Sequence, residues 1–199
     1  MNALIDQAWE AARLNNVEKL RSIVPGSLPP DTKKISEKNH CHSLLMCAAA
    51  YGSMDCAKYL LELHADPNLK NFAGFTALHW AAFTNRVEAV DVLLQFGADI
   101  EERTDDGKTP FHIAAFRGHR DFMEYLMRKG ADINAVDSNG WNAIHYTIIS
   151  KNRAAAEWLV ANKVSYNFVD AKKQSLLQFS QLNGNWFGEF VAANANSSF

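Results

Sequence analysis

Cysteine is scarce in this chain. The three present, Cys41, Cys47 and Cys56, form an odd set within one short stretch. That argues against a disulfide framework and for reduced thiols, so a cytoplasmic or nuclear setting is expected. No apolar run approaches the ~18 residues a membrane helix needs, so direct membrane insertion is not expected. The start, Met1-Asn2-Ala3-Leu4-Ile5-Asp6, carries an acid early and no basic segment, unlike a secretory leader. Neither sign of charge dominates: the formal net charge is -2, which makes no case for a nucleic-acid partner. The glycines are scattered, so there is no Gly-rich phosphate loop. Proline is rare, and three of the five, Pro25, Pro29 and Pro30, sit together. Apolar residues are abundant, at 48 %, enough to bury a core.

Those apolar residues recur. Gly74-Phe75-Thr76-Ala77-Leu78-His79-Trp80-Ala81-Ala82 returns as Gly107-Lys108-Thr109-Pro110-Phe111-His112-Ile113-Ala114-Ala115. A weaker copy runs Gly140-Trp141-Asn142-Ala143-Ile144-His145-Tyr146-Thr147-Ile148, each step being 33 residues. A fixed period of this size means stacked units that share one continuous core. Ser43, Thr76, Thr109, Asn142 and Ser175 are N-cap types at the start of a first helix. Pro110 stands one place inside, where its missing N–H costs nothing. The Ala pairs let helices approach closely. A second helix follows, closed by Gly97 or Gly130 in the left-handed C′ position. His64 and Lys163 hold that place elsewhere, so strain or a changed turn is expected there.

The spacing divides the chain. Residues 1–24 read as a capping helix pair and 25–37 as a Pro-rich inserted loop, expected to protrude. Four repeats follow at 38–70, 71–103, 104–136 and 137–169. Residues 170–199 form a divergent capping unit, with Phe187, Phe190 and Phe199 placed to fold back over the end. Thr147-Ile148 and Ser180-Gln181 replace the Ala pair, so helix packing is expected to loosen or shift there.

The units resemble the ankyrin repeat. Thr109-Pro110-Phe111-His112-Ile113-Ala114-Ala115, Gly118-His119 and Lys129-Gly130-Ala131-Asp132-Ile133-Asn134 carry the resemblance at the 33-residue period. The implied fold is an all-α repeat solenoid, a stack of helix pairs with β-hairpin-like fingers along one edge. The resemblance implies that His79, His112 and His145 make a structural hydrogen bond to neighbouring backbone. It also implies that Asn134 is a candidate for hydroxylation.

Catalysis finds little support. The three histidines lie on successive repeats, roughly 10 Å apart, and no Ser, Cys or carboxylate recurs beside them. His40-Cys41-His42 with Cys47 and Cys56 is the one metal-like grouping. Its spacing does not fit paired zinc ligands, and buried thiols are the simpler account. No cofactor is expected. The acidic run Asp99 to Asp106 reads first as a solvated finger and second as a docking site for a basic segment.

The variable positions are more informative. In the resembled family, the residue after the turn glycine, the end of the first helix and the finger tip face partners. Here these positions hold Tyr51, Phe72, Phe75, Phe83, Lys108, Phe116, Arg117, Trp141 and Ile149. Exposed apolar surface of this extent marks an interface, and aromatics are enriched among hot spots. The competing reading packs these residues between repeats. The expected function is a non-catalytic module that binds another protein or peptide through its concave face and fingers. The alternative is the substrate-recognition domain of a larger acyltransferase, kinase or ubiquitin ligase.

Overall fold

The structure, a computed structural model, describes residues 2–35, 41–165 and 169–195; of residue 41 and residues 193–195 only the backbone is described. It divides into two compact units, Met1–Asp105 and Asp106–Phe199. The fold class is an all-α repeat solenoid.

The first unit opens with α1 (Asn2–Arg13) and α2 (Val17–Arg21). The strands β1 (Lys33–Ile35) and β2 (Cys41–Ser43) come next. The helix pairs α3 (Leu44–Tyr51) with α4 (Met54–Glu62) and α5 (Ala77–Thr84) with α6 (Glu88–Gln95) complete it. The second unit holds three pairs: α7 (Pro110–Arg117) with α8 (Arg120–Arg128), α9 (Ala143–Ile149) with α10 (Arg153–Ala161), and α11 (Leu176–Leu182) with α12 (Trp186–Ala195).

Each first helix starts at its expected cap. Ser43, Thr76, Thr109, Asn142 and Ser175 all sit in extended backbone and all form capping boxes. The pairs Ala48-Ala49, Ala81-Ala82 and Ala114-Ala115 are fully buried. Thr147 is equally buried, and its hydroxyl donates to Ile144 O at 2.7 Å, so the polar atom is satisfied inside its own turn. Ser180 is buried too and accepts from Gly188 N at 3.2 Å, whereas Gln181 turns out to solvent.

Between the pairs, acceptor side chains pin the turns. Asn71 Oδ1 accepts from Ala73 N and Phe75 N; Asp137 Oδ1 accepts from Asn139 N and Trp141 N. Asp170 Oδ1 does the same with Lys172 N and Gln174 N. The tight turn needs glycine: a Cβ on Gly74 would lie 2.4 Å from Asp105 N, and one on Gly107 2.7 Å from Ser138 N.

His64 and Lys163 adopt the left-handed φ of +63° and +61°, beside +88° for Gly97 and +93° for Gly130, so of the two alternatives the turn is kept and the strain is taken. One expectation changes. The described part of the Pro-rich insertion does not protrude. Leu28 is buried, Asp31 Oδ1 accepts from Asp66 N, Lys33 Nζ donates to Lys70 O, and Lys34 pairs with Asp6. β1 then pairs antiparallel with β2, Lys34 opposite His42. At the far end Phe187 and Phe190 are buried, while Phe199 lies outside the described residues.

Candidate partner-binding surfaces

The recurring histidines are built into caps. Thr76 N, Thr109 N and Asn142 N each donate to the Nδ1 of the histidine three residues on, at 3.2, 3.1 and 3.2 Å. An accepting Nδ1 means a neutral ring with its proton on Nε2. In His112 that Nε2–H donates to Ala135 O at 2.9 Å. Burial pushes the His145 pKa down to about 4, against the pull of Asp170 and Asp137. The Nδ1 atoms of these rings close backbone bonds at the caps.

The thiols are also set. Cys47 and Cys56 are buried and free, and their Sγ atoms lie 3.7 Å from Trp9 O and 3.6 Å from Ala11 O. Burial raises their pKa values to about 12 and about 11, so both stay protonated and unreactive. Among the described residues no three His, Cys, Asp or Glu side chains are grouped as a metal site would require. His40 and the Cys41 side chain lie outside those described.

In the first unit, the predicted residues Tyr51 and Phe83 meet at one cavity of about 320 Å³. Its walls come from Trp9 on α1, His42 on β2, Cys47, Ala50 and Tyr51 on α3, and Trp80 and Phe83 on α5, with Arg86 just beyond. Trp9 and His42 stack at 6.0 Å, Trp80 meets His42 edge-on at 4.5 Å, and Phe83 meets Trp80 at 5.5 Å. Phe75 is half-buried against His79 and Trp80. Phe72 stands apart on the finger, 65 % exposed.

In the second unit, Lys108, Phe116 and Trp141 converge on Tyr146. The Lys108 ammonium lies 5.6 Å from its ring centre and also pairs with Asp106. Phe116 and Trp141 meet the same ring edge-on at 6.5 and 6.1 Å. Trp141 is further held by Phe179 at 5.1 Å, and its Nε1 lies 3.4 Å from Asp170 Oδ2. Phe116 is 40 % and Ile149 37 % exposed, and Arg117 is exposed. Asn134, half-buried, uses its Oδ1 to accept from Ser165 N at 2.8 Å, which ties one finger to the next.

Sequence reasoning missed Tyr146, Trp9, Trp80 and His42 as members of these clusters. For Tyr146 and Trp80 the signal was one helix position, the fourth, where bulk varies from repeat to repeat. His42 could have been found by register, since it stands 33 residues before Phe75 at the place just ahead of the cap; Trp9, in the capping helix, has no such signal.

A family model described as "Ankyrin repeats (3 copies)" matches residues 8–104 and again residues 96–170. The chain therefore belongs to the ankyrin-repeat family. Ankyrin repeats are generally protein–protein interaction modules and are typically non-catalytic. No match was found among curated proteins. Among the described residues no helix is long and apolar enough to cross a membrane.

Proposed function

We propose that the chain is a non-catalytic scaffold that holds a partner protein or peptide. Its contact residues are Tyr51, Phe72, Phe75 and Phe83 in the first unit and Lys108, Phe116, Arg117, Trp141 and Ile149 in the second. One observation carries this reading: large apolar side chains are open to solvent at positions the repeat does not need for its core. Phe116 and Ile149 stand at the ends of α7 and α9, past helices whose other apolar residues are buried. Apolar surface of this kind, rimmed by Arg117 and Lys108, suits a partner with apolar anchors and mixed charge. The setting we propose is cytoplasmic or nuclear. Asn134 is the position at which to seek a hydroxyl group by mass.

The test is affinity capture from the source cells with the intact protein against a Phe116→Ala/Ile149→Ala double variant. Phe83 is the poorer probe, because it packs on Trp80. The double variant should lose its partner with only a small fall in melting temperature, since both side chains are more than a third exposed, although Phe116 also touches Tyr146. Unchanged capture would overturn the reading. So would a large fall in melting temperature, which would make them core residues.

A further inference from the structure

The cavity of the first unit is walled by the capping helix α1 and the two helix pairs that follow it. Its His42 wall is delivered by β2 through the pairing with β1, and Trp9 comes from the capping helix. His42 stands 33 residues before Phe75, at the register position that Lys108 and Trp141 hold in the second unit.

The space and its walls limit what fits. At about 320 Å³ the cavity lies at the small end of ligand sites, room for one ring and its attachment rather than a cofactor. Faces and edges of Trp9, His42, Trp80 and Phe83 line it, and aromatic rings favour edge-to-face and offset partners of their own kind. Nothing in the wall reacts, since Cys47 is a protonated thiol.

Charge narrows the choice. Among the described residues no carboxylate lines the cavity, and Arg86 is the one formally charged residue that does. Arg86 Nε makes a long 3.5 Å contact with Ala50 O; among the described residues it has no ion pair, although Glu88 also approaches Gly52 nearby. Two more cations stand behind the walls: Lys34 lies 5.7 Å from the Trp9 ring centre and Arg13 5.7 Å from that of Tyr51. Each is answered by its own acid, Lys34 by Asp6 and Arg13 by Glu10. A methylated amine or other cation would meet rings already faced by cations and would find no counter-charge. The Trp80 Nε1–H, buried in the wall, has no acceptor among the described residues. A buried donor of this kind is stabilised by any acceptor an occupant brings.

We propose that this cavity seats an aromatic side chain of a partner polypeptide whose neighbouring residue is acidic. The ring enters between Trp9, Trp80 and Phe83, and the carboxylate meets Arg86. This rests on the interaction reading above and names the partner's chemistry for one part of it.

The experiment titrates the full ¹⁵N-labelled chain with a capped tetrapeptide, Ala-Phe-Asp-Ala, while the indole N–H signals of Trp9 and Trp80 are followed. The comparison ligands are Ala-Phe-Lys-Ala, Ala-Ala-Asp-Ala and the free acid 3-phenylpropionate. Saturable shifts of both indoles are expected with the first peptide. The lysine peptide should bind about tenfold more weakly, the loss expected for one charge-assisted contact. Arg86→Gln should weaken the aspartate peptide about tenfold and erase the difference between the two. Four results would overturn the assignment: no shift at millimolar peptide, equal binding of the lysine or alanine peptide, indifference to Arg86→Gln, or tighter binding of the free acid than of the peptide. The two readings fail separately. Loss of capture in the Phe116/Ile149 variant with a silent cavity leaves the scaffold standing; cavity binding with unaltered capture leaves only the pocket.

Discussion

The fourth residue of the first helix behaves differently in the two units. In the first unit it is Cys47 on α3 and Trp80 on α5. The thiol is small and the indole large, and both become walls of a cavity. In the second unit it is Ile113 on α7, Tyr146 on α9 and Phe179 on α11; the isoleucine is buried, and the two rings each meet other rings. Tyr146 touches Trp141, Phe116 and His112, and its hydroxyl donates to the buried Asp137 at 2.5 Å. Phe179 in turn packs on Trp141 and His145. The cap position obeys the same rule in both units, whereas the fourth position varies widely in volume. The repeat needs the helix there but does not specify what fills the space beside it.

The comparison is broken most directly at Tyr146. Tyr146→Ala should destabilise the protein by about 3–5 kcal/mol, read from urea unfolding, because it empties a packed aromatic site. Tyr146→Phe should cost only about 1–2 kcal/mol, the hydroxyl bond to Asp137 alone. If the alanine variant were as stable as wild type, the second unit would not be packed as described.

Next in size is a pH effect from His145 in the second unit. The unfolded chain binds a proton on His145 near pH 6.5, but the folded chain does so only near pH 4. Stability from this group is therefore complete above about pH 6.5 and is lost as pH falls toward 4, up to about 3 kcal/mol in all. Thermal unfolding across that window should show the loss, and His145→Gln should flatten it. A slope unchanged in that variant would place the titration elsewhere.

The smallest effect is one the two units should share. His64 in the first and Lys163 in the second hold exposed left-handed positions where other repeats have glycine. His64→Gly and Lys163→Gly should each stabilise by about 0.5–1 kcal/mol, as a Cβ is disfavoured at positive φ. Destabilisation in either would mean that the side chain makes contacts worth more than the backbone strain.

Much of the fold was legible because it depends on neighbours in sequence. A cap needs Ser, Thr or Asn beside its helix, a tight turn needs Gly74 or Gly107, and close helices need Ala81-Ala82. Each requirement recurs every 33 residues, so repetition made weak local signals strong. The candidate surfaces were legible only in part. Phe116, Ile149 and Phe72 could be placed at open positions by register. Phe75 and Trp141 stood at open positions too, yet they lean back onto Trp80 and Tyr146 and are half-buried. Register assigns a side to the backbone; it does not say which way a large ring lies.

By itself, the sequence determined the repeat, its helix pairs, its caps and the structural role of the recurring histidines, because short-range hydrogen bonding and periodic burial suffice for all of these. Only the tertiary structure decided that the Pro-rich insertion folds back as a strand pair. It alone brought His42 and Trp9 to Trp80 and left Arg86 at the rim with no ion pair among the described residues. Register places His42 and Trp80 on successive units, but the distances between their side chains, and from both to Trp9, are set by packing, which no spacing along the chain records.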